Sequence, residues 1–580
     1  MIRFVYIATL ATAFSQATNG TPEEVPKFSR QTVPPQQVRI PSAESRTVQS
    51  PEQESGEGPA WWQTQMEDTL LERVVPRKVD LGDLILGALR HSPNVKAISE
   101  GPLIRETAIV EEEAKFDWRA FMESRFTETN DPVGSTLTTG DGVTLHYPSR
   151  LKDKNWRSSA GLRRRLYSGG RFEIAQKMGL ESSDSQNFVP EDQATSRLAL
   201  NFTQPLLNGA GCAYNTSLIV LARIDTEIAE DEFSAQLQDH LLAVTRAYWE
   251  LYQQRALLLQ TRKWHQQAIV ILEELESRRG VDSLESQIVR ARAAVATRQA
   301  DIIRSETSIR NIAARIRALV DDPDLLPNHN NELIPLEQPL TDQIEVGLED
   351  SLATAMQHRP EIDAAVKNVR KATVRLGISK NELRPVLDFV AEAYVSGLEG
   401  NFALGTAYGN QWREGGPSYS VGLVFEVPLG NREARARHER RRLELQQVTY
   451  ELQNAIATLK AEVEVAVREV ETTFDEMQGK YRAMVALEEE VKYLQERWLH
   501  LPGEDQAPSF LLDDLLESQD RLRQQEFEYV TAQVAYTLSL SDLKRAMGTL
   551  LEAEAVEQTR VCEDCLPAIH LDKRTTKSSP

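Results

Sequence analysis

The sequence predicts a mainly α-helical protein with membrane-type β structure, in which long coiled-coil hairpins are joined to short strands in two tandem repeats. Three observations predict it. Two proline-free segments, about 214–278 and about 434–498, each carry a single apolar stripe at spacings of three and four. The chain between about 80 and 552 reads as two copies of one unit. Short segments beside the helices alternate apolar and polar residues with period two.

The elements follow in order. Arg3, an apolar run from Phe4 to Phe14 and Ser15-Gln16-Ala17 have the layout of a secretory signal peptide over 1–17, too short to span a bilayer. Residues 18–79 form a Pro-rich N-terminal segment, expected to be disordered or extended, with the richest Pro, Gln, Ser and Glu content up to Pro59. The first repeat, 80–320, opens with a helix in which Asp83, Ala88, His91, Pro93 and Ala97 stand where Asp350, Ala355, His358, Pro360 and Ala364 stand in the second repeat, 344–552. The equivalent positions of His91 and His358 favour a packing or capping role over metal binding.

A strand follows each opening helix. In the first repeat Phe116, Trp118, Ala120, Met122 and Phe126 alternate with Asp117, Arg119, Glu123 and Arg125. In the second, Leu387, Phe389, Ala391, Ala393 and Val395 alternate with Asp388, Glu392 and Tyr394. A second strand in each repeat ends in Pro-Leu, at Pro205 and Pro428, where proline removes a ladder donor. Phe202 there matches Phe425. Such alternation serves a soluble sandwich, or a barrel with lipid outside and water inside; on the second reading Trp118, Met122, Phe202, Phe389, Val395 and Phe425 face lipid. Residues 129–196 read as an insertion containing a hairpin turned at Ser168-Gly169-Gly170, which either adds strands to the sheet or extends beyond it.

Each second strand runs into a long helix of roughly 95–100 Å at 1.5 Å per residue. Breaks at Arg278-Arg279-Gly280-Val281-Asp282 and at His500-Leu501-Pro502-Gly503-Glu504 turn the chain back into return helices, from about Ser283 to Val320 and about Phe510 to Leu551. A lone stripe on so long a helix has to pack on other helices. Residues 321–343, with four prolines, form a connector. The tail, 553–580, is polar and holds Cys562 and Cys565 in a CxxC that favours a local disulfide over zinc or redox chemistry.

The net charge of -21 argues against nucleic-acid binding. It fits either simple solubility or a duct whose carboxylates favour cations. No helix-length apolar run exists beyond the leader, and no HExxH, P-loop, GxSxG or paired CxxC is present, so no enzyme, cofactor or metal is expected. The basic run from Arg435 to Arg442, around His438, reads as an electrostatic collar or as a solvated helix face.

Taken in order, these features resemble the TolC-type outer-membrane efflux protein family. The resemblance rests on the repeat and on the Ala-x-x-x-x-Pro-x-[Val/Ile]-x-Ala helix starts. Gln204-Pro-Leu-Leu-Asn-Gly209, Val244-x-x-x-Tyr248-Trp249 and Tyr536-x-x-Ser539-x-x-x-Leu543-x-x-Ala546-x-Gly548 complete it. It covers about 80–552. It implies a homotrimer whose strands close one barrel in outer-membrane lipid, and helices that continue as a tunnel across the periplasm of a Gram-negative-type cell. The return helix of the first repeat is expected to stack end to end with the opening helix of the second. The role implied is a passive exit duct working with a periplasmic adaptor and an inner-membrane transporter. A periplasmic adaptor, or a structural coiled-coil envelope protein, is the alternative.

The resemblance places adaptor contacts at the hairpin tips: Arg279, Gly280, Val281 and Leu284, with Leu501, Pro502 and Gly503. Asp513, Asp514 and Glu517 are placed to form a carboxylate ring at the entrance, with Asp282 and Glu285 after the first tip. Asn at 513 and 514 is then expected to reduce block by polyvalent cations. Ordinary helix N-terminal charge is the other reading of these acids.

Overall fold

The computed structural model describes residues 60–551 except 73–74, 133–135, 139–143, 147–149, 186–187, 280–284, 324–330, 415 and 501–507. The leader, the chain to Pro59 and the CxxC tail lie outside the described residues.

Along the chain, β1 (Val75–Val79) precedes α1 (Leu81–His91) and α2 (Pro93–Glu113). Pro93 starts α2 because a first-turn proline loses no helical hydrogen bond, and Pro360 does the same in the second repeat. Each opening helix is therefore two helices, with His91 and His358 as the last residues of the first. Then come β2 (Arg119–Pro132), β3 (Arg150–Arg165), β4 (Arg171–Ser183), β5 (Asp192–Pro205), the long α3 (Ser217–Ser277) and the return helix α4 (Glu285–Val320). β6 (Asn331–Pro335) leads to α5 (Leu348–His358), α6 (Pro360–Glu382), β7 (Val386–Gly400), α7 (Leu404–Arg413) and β8 (Ser418–Glu426). The long α8 (Arg432–His500) and its return α9 (Pro508–Met547) close the repeat.

Six strands form one antiparallel sheet in the order β8-β7-β5-β4-β3-β2. The 129–196 insertion supplies two of them, and its hairpin turns as expected: Leu166 N donates to Gly170 O at 2.7 Å, and Gly169 N donates to Leu166 O at 2.9 Å. Gly169 has φ +93°, and a Cβ there would meet Gly209 O at 2.5 Å, so the turn needs glycine twice over. Phe116, expected in the first strand, is instead in a short 3-10 turn. It is buried there and stacked on Tyr167 at 4.5 Å, and the strand starts at Arg119.

The helices pack as a layer. Along α3 and α8, the half near the sheet holds α2, α3, α6 and α8 side by side, and the distal half holds α4, α3, α9 and α8. This corrects the expected stacking. The end of α4 meets the start of α2 within the first repeat, and the end of α9 meets the start of α6, where Gly548 (φ +76°) lies against the His358 carbonyl. Sequence spacing is equal for either partner, so helix length alone did not distinguish them.

The N-terminal segment also departs from expectation. A disordered or extended segment was expected to residue 79, yet residues 60–72 are folded onto the helices: Trp62, Met66, Leu70 and Leu71 are buried in the main core with Tyr248, Leu251, Val463 and Tyr536. β1 pairs in parallel with β6, so the Pro-rich connector carries a strand.

Candidate functional site

The strand registers carry one face through the whole sheet. Met122 lies opposite Ala160 and Phe126 opposite Trp156. Leu162 lies opposite Ile174, and Ile174 opposite Leu200. Leu198 then pairs with Val395, and Phe389 with Leu423. Phe202 pairs with Phe172, Phe425 with Leu387, and Trp118 sits edge-on to Phe172 at 5.9 Å. All six residues predicted for an apolar face thus share one face, with many side chains open to the surroundings.

The other face is polar and concave. Glu123, Arg125, Arg157, Lys177, Glu181 and Arg197 line a hollow of about 1090 Å³. Acids and bases are mixed along it, so this stretch is not lined by carboxylates alone, whatever the net charge of the chain.

Both edges of the sheet are open: among the described residues β2 pairs only with β3, and β8 only with β7. The helical layer is open in the same way. At one edge α2 and α4 expose Ile104, Val110, Val289 and Ile303; at the other α8 exposes Leu443, Tyr450 and Tyr493. Unpaired strand edges and exposed apolar helix faces call for a neighbour.

At the distal end the two hairpins meet. Ile271, Leu275, Ile288 and Ala291 of the first pack with Trp498, Leu511 and Leu515 of the second. Gly280, Val281, Leu284, Leu501, Pro502 and Gly503 lie outside the described residues, and Arg279 is exposed and paired with Glu285 at 2.9 Å. Of the predicted carboxylates, Asp513 forms an ion pair with Arg290 across the hairpins, while Asp514 and Glu517 are exposed. In the basic run, Arg437 pairs with Glu382 at 2.8 Å, Arg441 with Glu444 at 2.7 Å, and His438 Nδ1 bonds Ser379 Oγ at 3.0 Å. Those pairings match a solvated, ion-paired helix surface.

Sequence reasoning missed three polar devices. Arg255 and Glu332 form a fully buried ion pair beneath the N-terminal segment. Arg255 stands on the apolar stripe of α3 between Leu251 and Leu258, a misfit that signals a buried partner. At the level of the helix junctions, Arg545 donates to Asp239 and Glu361, each at 2.7 Å, and Arg359 reaches Glu361 at 3.2 Å and Glu462 at 2.5 Å. Finally, the family-like tyrosines are clamps for the connector: Tyr248 Oη accepts from Glu337 N at 3.0 Å, and Tyr536 Oη accepts from Ile344 N at 3.0 Å while donating to Asp342 O at 2.9 Å.

His240 on α3 seals the α4–α2 junction. Its Nε2 bonds Leu319 O at 3.2 Å, and Asn94 Nδ2 lies 3.1 Å from its Nδ1. Burial pushes its pKa below the ordinary 6.5, only partly opposed by the Leu319 carbonyl. The folded protein therefore binds fewer protons here than the unfolded chain. The contribution is complete above pH 6.5 and is lost as pH falls below 6.5 towards the lower folded pKa. Between pH 7.5 and 5.5 the wild type is expected to lose more stability than His240→Gln, by at most about 1.4 kcal/mol per pH unit below the unfolded pKa. Denaturant titrations at the two pH values check this; equal losses would remove His240 as the titrating group.

Among the described residues no helix is long and apolar enough to cross a membrane. A two-faced antiparallel sheet joined to tandem long helical hairpins is a fold shared with solved structures of TolC-type outer-membrane channels. Solved structures of that class match most of the chain. The CmeC outer membrane channel of Campylobacter jejuni is 12% identical, with a TM-score of 0.57 over 83% of this chain and 88% of its own. The outer membrane protein VceC of Vibrio cholerae is 18% identical, with a TM-score of 0.56 over 81% and 96%. The open-state MtrE channel of Neisseria gonorrhoeae is 13% identical, with a TM-score of 0.56 over 83% and 94%. These identities show a shared fold. No family model and no curated protein sequence matches the chain.

Proposed function

We propose that this protein is the outer-membrane exit duct of a tripartite export system: a homotrimer whose sheets close one barrel in lipid and whose helices form a periplasmic tunnel. The observation that carries this reading is the sheet itself, apolar and exposed on one face, charged and concave on the other, with both edges unpaired among the described residues. In lipid every backbone donor and acceptor needs a partner, so such a sheet has to close with copies of itself. The exposed apolar residues on α8 and on α2 and α4 are then covered in the same association. The duct conducts passively and needs no cofactor; the energy comes from an inner-membrane transporter, reached through a periplasmic adaptor that docks on the hairpin tips around Arg279–Leu284 and Leu501–Gly503.

The test is a photo-cross-linker placed at Val281 in cells. Recovery of a periplasmic adaptor with its transporter supports the duct; recovery only of unrelated envelope proteins overturns it. The entrance acids give a second test. Since Arg290 already neutralises Asp513, the exposed acids carry the cation-binding effect. Asp514→Asn with Glu517→Gln is expected to weaken block by a trivalent cation about tenfold in bilayer recordings, a change of about 1.4 kcal/mol in binding. Asp513→Asn is expected to act less on block, because it removes a paired charge. Unchanged block in the double variant excludes the ring.

A further inference from the structure

We infer that the inserted hairpin β3–β4 is part of the pore wall and sets its width, so that the trimer forms an eighteen-stranded barrel that admits cargo too bulky for a twelve-stranded one. The inference rests on the trimeric barrel proposed above. The two repeats contribute two strands each, β2 with β5 and β7 with β8, whose apolar residues match in parity. Four strands per chain would make twelve in a trimer; the observed six make eighteen.

Three observations place the hairpin in the wall. First, it is inserted between β2 and β5 in the sheet as well as in the sequence, and is antiparallel to both, so its removal leaves two strands that still run antiparallel. Second, β3 and β4 are 16 and 13 residues long beside neighbours of 14, and a membrane strand needs about 9–11. Third, their alternation is that of the wall. Trp156, Leu162, Ile174 and Leu180 continue the apolar face, while Arg157, Arg163, Glu173 and Lys177 continue the charged one. A hairpin standing in water beyond the membrane has no use for the first of these faces.

Two polar residues near the middle of the apolar face support the same placement. Gln176 of the inserted β4 and Ser196 of β5 are polar, and both are covered by α7. Gln411, fully buried, accepts from Ser196 Oγ at 3.0 Å and from Gln176 Nε2 at 3.2 Å. The helix lies so close that a Cβ on Gly397 would meet Ala407 O at 2.2 Å. Its outer side exposes Tyr408 and Trp412, residues suited to a membrane interface. Gln176 and Ser196 are thus paired and shielded, as hydrocarbon surroundings demand and water does not.

Barrel diameter grows roughly linearly with strand number, so eighteen strands give a pore about 1.5 times as wide as twelve. The experiment is electron-microscopic averaging of the full chain in lipid nanodiscs, beside a variant lacking residues 136–189, which keeps five residues to join β2 to β5. The expected result is a three-fold particle in both, with a barrel about 1.5-fold narrower in the deletion and an unchanged helical tunnel. Equal barrel diameters overturn the inference and leave the duct standing. Absence of any three-fold barrel in the full chain overturns the duct reading and this inference with it. Should the deletion variant fail to fold, single cysteines at Leu162 and Ile174 in the full chain decide. Quenching of attached fluorophores by lipid-borne nitroxides is expected; quenching by aqueous iodide alone overturns the inference.

Discussion

Glu332→Gln is expected to destabilise the protein by about 3–5 kcal/mol, because it strands the buried Arg255 charge. Both side chains of the pair are fully inaccessible. The pair also organises the backbone around it. Glu332 accepts from Leu70 N and Leu71 N, each at 2.9 Å, while Arg255 Nη2 donates to Met66 O at 3.0 Å and Asp68 O at 2.8 Å. One ion pair thus pins the N-terminal segment, the connector strand β6 and the long helix α3 together. Burial pulls the Arg255 guanidinium below its usual pKa, with Glu332 opposing that, so the carboxylate is what keeps the cation tolerable. The double variant Arg255→Met with Glu332→Leu removes both charges and is expected to recover most of the loss. Denaturant unfolding of the detergent-solubilised protein separates these cases; a single variant as stable as the wild type would show that water reaches the site.

A second large effect is expected on the sheet, from two adjacent residues with opposite consequences. Leu200→Arg places a charge on the apolar face in a row with Leu162, Ile174 and Ala393. In the proposed barrel, at the bilayer midplane, such a charge costs about 2–4 kcal/mol, enough to deplete the assembled form from the outer membrane. Asn201→Arg, one residue on, enters the charged face between Glu173 and Glu392 and is expected to assemble normally. The amount of the proposed trimer, read as a heat-modifiable band on a gel, reports both. Equal tolerance of the two changes would mean that the apolar face does not meet lipid.

How much of this was legible in the sequence depends on the range of the interaction. The long helices were found within a few residues of their ends, because stripe, proline and glycine are local signals: 214–278 became Ser217–Ser277, and 434–498 became Arg432–His500. The parity of Met122, Phe202, Phe389 and Phe425 was equally local, since alternation along a strand fixes which residues share a face. The carboxylates after the second tip were visible as residue types, but not the pairing of Asp513 with Arg290, which joins two hairpins more than two hundred positions apart.

By itself, then, the sequence determined the long helices, the repeat and the two-faced strands, all of which depend on periodicity within a segment. The tertiary structure alone decided where the inserted hairpin goes. It also decided that residues 60–72 join the core, that α4 meets α2 rather than α6, and that α7 covers Gln176 and Ser196. Each is a choice among partners distant along the chain, and the free energy that makes it comes from burial, register and paired charge once the surfaces have met.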